Sequence, residues 1–362
     1  MKLKELLGLY NVNFNQLAQT WNFNRFFLLL SFRMRVADRY LTRLFSQTRP
    51  VDYWEMSSRI YRPLVPRKQA RIEEARPDVI VVAQHGRFGN MVRQVSLSIA
   101  CAEKLGIREV IVKSFPQFPR GTWVLDNGVA LTHDPYLRSR MIARPRLALA
   151  GDFFLKPRLP IQVDDVDFDT IASSLVEAGN LAGENALSRE VLVVHFRSGD
   201  AFSDRPHPGL GQPPLSFYQL VIDHEKPEKV ILVFENKANP VIDGVIAHLE
   251  AVAIPYSIQS ANFREDLGVL LAARSLITAN GTLSEALLML SPHLQRWISY
   301  SRDSELYFRS RPIRDIVRVM DSSEDYSSRI LKGNWRNSPE QRKLMMSFPA
   351  SELVLTETTF RN

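Results

Sequence analysis

The run Val191-Leu192-Val193-Val194-His195-Phe196-Arg197-Ser198-Gly199-Asp200 decides how this chain is read. Five of the six residues from Val191 to Phe196 are apolar, which makes a short buried strand, and Ser198-Gly199-Asp200 makes the turn at its carboxyl end. Sheets built of alternating strands and helices hold their ligands at that end. A guanidinium fixed there, Arg197, offers parallel N–H donors to two phosphate oxygens. Arg197 and Asp200 also read as an ion pair that closes the loop, and the spacing alone leaves both readings open.

Around this stretch the composition is ordinary. A chain of 362 residues is long for one hydrophobic core and predicts two domains. With 45% hydrophobic and 23% charged residues it is expected to be a soluble globular protein. The single cysteine, Cys101, excludes an internal disulfide. It lies in an apolar helical pattern, so a buried structural thiol and a cytoplasmic location are expected.

Charge is concentrated at one end. Residues 1–75 hold 13 Lys/Arg against 6 Asp/Glu, the whole net charge of +7, and the remainder carries 33 of each sign. The high pI of about 9.5 therefore does not describe the body of the protein, which argues against a broad nucleic-acid-binding face. Within the basic segment, Arg25 to Phe45 is patterned: Phe26, Leu29, Leu30, Val36, Ala37, Tyr40, Leu41 and Leu44 fall at helical spacing, with Arg35, Arg39 and Arg43 on another face. Its longest apolar run, Phe26 to Leu30, is too short to span a bilayer, and no signal-peptide pattern is evident at the start. Such an amphipathic helix suits peripheral contact with an anionic membrane, on its inner face, and equally suits docking on the protein's own core.

Residues 48–78, interrupted by Pro50, Pro63, Pro66 and Pro77, read as a linker. Val79 to Ala83 is a β-branched central strand running into Gln84-His85-Gly86-Arg87-Phe88-Gly89-Asn90, followed by a helical pattern from Met91 to Leu105. Strand, glycine turn, helix is the arrangement that points backbone N–H groups at an anion. A tight turn with Asn90 as helix N-cap accounts for the same glycines. Further on, the pattern predicts a strand at 108–113, an irregular stretch to about 160, and a helix at 169–182. Asp152 and the Asp164-Asp165-Val166-Asp167 group have no His or Cys in register, so they read as a solvated loop and a helix start, with no metal site.

The second half repeats this alternation. Pro206 to Pro214 is a rigid loop of the kind that covers a site. Helices are predicted at 215–222, 241–252 and 264–272, and strands at 229–234 and 275–279. Asn280-Gly281-Thr282-Leu283-Ser284-Glu285 then turns into a helix at 286–290, with Thr282 or Ser284 as its N-cap. From Arg309 onward, Arg/Lys-rich helical fragments are expected.

These junctions, taken in order, resemble a known family. Gly86-Arg87-Phe88-Gly89-Asn90 with Gln94 resembles the G-R-x-G-N-x-x-x-Q opening of α1,2-fucosyltransferases and protein O-fucosyltransferases, and His195 to Asp200 resembles their H-x-R-R-x-D signature. The stretch from Asp266-Leu267 through Asn280-Gly281-Thr282-Leu283-Ser284 to Leu288 is similar to their D-L…I-x-A-N-S-S-F-S-x-x-x-A block, and Tyr218 falls where these enzymes carry a Tyr. The resemblance spans about residues 79–290. It departs at Ser198, where the family has a second Arg, at Gly281, where it has Ser, and at Glu285, where it has an aromatic residue.

The resemblance implies an α/β fold of GT-B type, two Rossmann-like domains facing a cleft: an acceptor-side domain at 76–185 and a donor-nucleotide domain at 186–310. These follow the basic helical extension at 1–75 and precede a C-terminal helical segment at 311–362. It implies transfer of fucose from GDP-fucose to a glycan or glycolipid hydroxyl, with inversion and without a metal or other cofactor. Arg197 would grip the diphosphate, with Thr282 and Ser284 on the phosphates. Arg87 and Asn90 would reach across the cleft, and His195 and Asp200 would position the nucleotide. Gly89, Ser198, Asp266 and Asn280 complete the implied donor-binding set. The general base is sought among Asp204, His207 and Glu285. Another nucleotide-sugar donor, or a non-catalytic nucleotide-sugar or glycan-binding module, is the alternative.

Overall fold

The computed structural model describes residues 50–52, 77–82, 86–112, 114–134, 148–151, 153–154, 156, 159, 161–181, 185–300 and 313–360. The expected amphipathic helix at Arg25–Phe45 and residue Asp152 lie outside the described residues.

The chain forms two α/β halves, each on its own sheet. The first sheet has the order β1-β6-β2-β3-β5-β4. Its strands are β1 (Pro50–Asp52), β2 (Val79–Val82), β3 (Glu109–Val112), β4 (Gly121–Val124), β5 (Ala130–His133) and β6 (Ala148–Gly151). All its neighbours are parallel except the β4–β5 pair. Helix α1 (Phe88–Leu105) follows β2, and α2 (Phe168–Gly179) follows β6. Helix α1 ends at Gly106, whose left-handed φ of 67° lets its N–H reach Glu103 O. Asp167 caps α2, its carboxylate accepting from Asp169 N and Thr170 N.

The second sheet comprises β7 (Val191–Phe196), β8 (Lys229–Phe234), β9 (Tyr256–Gln259), β10 (Ser275–Ile277), β11 (Arg296–Tyr300), β12 (Asp315–Asp321) and β13 (Leu353–Thr359). Its order is β13-β12-β11-β10-β7-β8-β9. Counted from β7, the strands β9 to β12 stand in the order 3-2-1-4-5-6, the doubly wound arrangement whose ligand crevice opens between the first and fourth strands, here β7 and β10. The intervening helices are α3 (Leu215–Glu225), α4 (Val241–Ala251), α5 (Phe263–Ala272) and α6 (Thr282–Leu290). Two further helices, α7 (Asp325–Ile330) and α8 (Pro339–Ser347), lie between β12 and β13. The chain thus adopts the expected GT-B-like α/β architecture of two Rossmann-like halves.

A continuous apolar cluster joins the halves: Ile80, Met91, Val95 and Leu131 of the first pack with Leu267, Leu287, Met289 and Trp297 of the second. A second cluster, with Leu192, Phe217, Ile242, Tyr326 and Trp335, fills the other face of the second sheet. Cys101 is fully buried and burial pushes its thiol pKa up, so it is an inert core group. No helix among the described residues is long and apolar enough to cross a membrane.

The structure departs from the sequence reading in several places. Pro50–Asp52, assigned to a linker, is an edge strand beside β6, a place where proline's missing N–H is tolerated. The stretch expected to be irregular contains the β4–β5 hairpin, closed by Asn127-Gly128 with Gly128 at φ 78°. The segment at 311–362 is not simply helical: β12 and β13 extend the second sheet as an antiparallel pair. Ile316, Val317 and Val319 are buried there, and the interspersed Arg318 disguises a β-branched strand. Helices α1 and α6 begin earlier than predicted, so Asn90 lies inside α1, whose N-cap is Arg87, and Gly281 stands at the N-cap of α6 in place of Thr282 or Ser284.

Candidate active site

The carboxyl ends of strands from both sheets open on one cavity of about 600 Å³. The first half contributes the Gly86–Asn90 turn after β2 and Pro116-Gln117 after β3; the second contributes His195–Ser198 and Asp200 from β7 and its following turn, Glu235 after β8, Asp266 beyond β9, and Thr282 beyond β10.

Arg197 is the organising cation. Its Nη2 donates to both oxygens of Asp200 at 3.1 Å, and Asn239 Nδ2 holds its carbonyl at 3.1 Å. A Cβ on Gly281 would come within 2.6 Å of Arg197 Nη1, so the guanidinium lies against a residue that has no side chain to obstruct it. Arg197 Nε, Ser198 Oγ and His195 Nδ1 are buried without a hydrogen-bond partner among the described residues. Unsatisfied polar atoms are uncommon in a protein interior, and these three are grouped at the cavity wall. Burial, and then the Arg197 charge, hold the His195 pKa down at about 4, so its imidazole is neutral at pH 7.

Two helix N-termini meet beside this cation. A Cβ on Gly89 would stand 2.6 Å from the backbone of Thr282 and Leu283, so the first turn of α1 crosses the first turn of α6 almost backbone to backbone. The positive dipole ends of both helices therefore lie together at the cavity. Across the cleft, Arg87 stands 3.9 Å from Asp200 Oδ2 and 3.5 Å from Glu235 Oε2. Below them Phe88 packs against Phe115 and Phe263, closing the cavity with aromatic rings from both halves.

No protein-family model matches the chain. No curated protein matches it either. Its likeness to solved structures is one of fold. It is similar to POFUT1 in complex with GDP, at 11% identity and a TM-score of 0.35, over 62% of this chain and 98% of that one. It is similar to the E. coli heptosyltransferase WaaC with ADP, at 11% identity and a TM-score of 0.38, over 64% of this chain and 90% of that one. A third is the E. coli ADP-heptose lps heptosyltransferase II, at 13% identity and a TM-score of 0.30, over 66% and 90% of the two chains. The chemistry of the site rests on its own residues.

Of the residues singled out by sequence, Arg87, Gly89, Asn90, His195, Arg197, Ser198, Asp200, Asp266 and Thr282 line the cavity. Asp266 is already engaged, its Oδ1 accepting from Gln259 Nε2 at 3.0 Å and Ala261 N at 3.1 Å, which fixes the turn after β9. Five others stand elsewhere. Asn280 donates from Nδ2 to Gly211 O at 3.1 Å, and Ser284 Oγ donates to Ala279 O, so both serve the turn and not the cavity. Glu285 pairs with Arg93 at 2.9 Å, tying α6 to α1. Asp204 is exposed and outside the cavity lining, and His207 Nδ1 accepts from Gly209 N at 3.1 Å within its own loop.

The reason for the last two is tertiary. The loop from 199 to 214 is drawn toward the C-terminal segment, where Trp335 Nε1 donates to Ala201 O at 2.6 Å, Asn337 Nδ2 to Ser203 O at 3.0 Å, and Tyr326 Oη to Gln212 O at 2.7 Å. It braces the site from behind and does not cover it. Tyr218 is likewise a core residue, fully buried with its ring 4.8 Å from that of Phe196. The aspartates near 165 are engaged outside the cavity, Asp164 with Lys156, Asp165 with Lys104, and Asp167 as the cap of α2.

Sequence reasoning missed Glu235 and Gln117. Glu235 follows β8 directly, and the one signal that could have drawn attention to it is its position just past an apolar strand of the same kind as β7. Gln117 carries a left-handed φ of 64° at the cavity rim, which no sequence pattern announces.

Proposed function

We propose that the cavity holds a nucleoside-diphosphate sugar and that the protein is a glycosyltransferase, transferring fucose from GDP-fucose to a hydroxyl of a glycan or glycolipid, with inversion and without a metal. The observation that carries the reading is the convergence of Arg197, Arg87 and two helix N-termini on one point of a doubly wound sheet's crevice. That is an anion site built from donors of both halves, and a diphosphate joining a nucleoside to a sugar fits a crevice of this size.

In the transfer, the acceptor oxygen forms its bond to the anomeric carbon as the bond from that carbon to the β-phosphate oxygen breaks. The electron pair leaves with the nucleoside diphosphate, whose charge collects beside the Arg197 guanidinium, and the acceptor's hydroxyl proton is given up to water. Guanine and fucose as base and sugar rest on the ordered motif set of residues 86–94, 195–200 and 266–288.

The experiment is a thermal-shift series with GDP, UDP, CMP and their sugar conjugates, followed by turnover with and without EDTA. A ligand present at about 100 times its Kd and binding only the folded state contributes about 2.7 kcal/mol, an easily read rise in Tm. GDP and GDP-fucose are expected to give that rise, and EDTA to leave turnover unchanged. A response to UDP-sugars without one to guanine nucleotides would refute the fucosyl assignment, and no response to any nucleotide would refute the site.

A further inference from the structure

The exits of four adjacent strands, β9, β8, β7 and β10, form the floor of the second half's crevice. Neighbouring strands lie about 4.8 Å apart, close to the spacing between successive parts of a nucleotide sugar. Given the nucleotide-sugar reading above, on which this inference rests, the diphosphate belongs at the β7 exit, between Arg197 and the N-terminus of α6. The ribose then falls at one neighbouring exit. On the β10 side stand Gly281, Thr282 and a helix N-terminus, which are donors and attract anions.

On the β8 side stands Glu235, whose carboxylate oxygens are hydrogen-bond acceptors and a poor neighbour for phosphate. Phe196 pairs with Phe234 at the last register of these strands, and Arg197 and Glu235 follow directly at the two exits. The turn at Gly199, with φ 55°, is laid directly against the Glu235 carboxylate, where any Cβ at 199 would collide with it. Asn236 Oδ1 accepts from Gly199 N at 3.4 Å and steadies the same junction. An acidic side chain at the end of the second strand of a doubly wound sheet is placed to accept from ribose hydroxyls.

We infer that Glu235 is the ribose-binding residue of this site, accepting hydrogen bonds from the 2′- and 3′-hydroxyls of the nucleotide. The ion pair that Glu235 makes with Arg87 is between exposed side chains and weak, so the diol displaces it and leaves Arg87 to the phosphates.

The test is titration calorimetry on the full chain with GDP, 2′-deoxy-GDP and inorganic pyrophosphate, for the natural protein and Glu235→Gln. The natural protein is expected to bind 2′-deoxy-GDP about tenfold more weakly than GDP, a comparison that needs no variant to fold. Glu235→Gln is expected to lose about 10-fold to 100-fold in GDP affinity, to stop distinguishing the two nucleotides, and to bind pyrophosphate at least as tightly as before. Equal affinity of the natural protein for both nucleotides overturns the assignment, as does a variant that loses pyrophosphate and GDP alike. Should neither GDP nor pyrophosphate bind the natural protein, the nucleotide reading itself fails and takes the assignment with it.

Discussion

Arg197 holds Asp200 through Nη2, while its Nε is buried without a partner among the described residues; under the proposed function the same guanidinium would also hold the diphosphate. Asp200 is 39% exposed in its side chain, so the pair contributes at most about 1 kcal/mol to stability. The charge it offers a departing diphosphate is worth far more, because loss of one preorganised stabiliser lowers kcat by about 10²–10³. Arg197→Lys, which keeps the charge and loses the planar fork, is therefore expected to lose most transfer, and Arg197→Ala nearly all, with Tm little changed. Single-turnover rates beside melting curves check this. If Arg197→Ala and Asp200→Ala unfold alike and activity follows folding, Arg197 is only a loop clamp. Gly281 keeps this place open, since a Cβ there would stand 2.6 Å from Arg197 Nη1.

At the scale of elements the site is the crossing of α1 and α6. Gly89 permits it, since backbone atoms of Thr282 and Leu283 lie 2.6 Å from where its Cβ would be. Backbone cannot swing aside as a side-chain tip can. Gly89→Ala is expected to force the two helices apart, to cost about 1–3 kcal/mol, and to weaken nucleotide binding because the two N-termini diverge. Gly268 in α5 is the control: a Cβ added there would meet nothing within 4 Å, so Gly268→Ala should be neutral or stabilising by up to about 1 kcal/mol. Urea unfolding of the two variants decides it, and a Gly89→Ala protein as stable as the natural one would show that the crossing is not tight. The Arg93–Glu285 pair ties the same two helices together, which gives Glu285 a structural role in place of the catalytic one expected for it.

At the scale of the molecule, the two halves share an apolar cluster, and the C-terminal segment holds the loop behind the site through Trp335, Tyr326 and Asn337. The basic surplus belongs to residues 1–75, while the rest of the chain is electrically balanced. We therefore propose that the N-terminal segment, and not the catalytic body, carries any contact with an anionic membrane. Removing residues 1–47 is expected to abolish sedimentation with vesicles containing phosphatidylglycerol while leaving donor hydrolysis intact. An insoluble truncated protein would instead make that segment part of the core.

The doubly wound strands and their turns could be read from the chain because each is a local event. Val79–Val82, Val191–Phe196 and Lys229–Phe234 are apolar runs that end at glycine or polar residues, and a buried parallel strand needs nothing more to announce itself. The junctions at Gly86, Arg197 and Thr282 were legible for the same reason, and all three line the cavity. Which side chains face one another was not. Asn280, Ser284 and Glu285 carry suitable chemistry, yet they are turned to Gly211, Ala279 and Arg93 by partners from 5 to 192 residues away, His207 to a neighbour in its own turn, and Asp204 is exposed outside the cavity lining. Glu235 shows the converse. It looks like any charged residue closing a strand, and only the order of strands, set by how helices pack on both faces of the sheet, brings it beside Arg197.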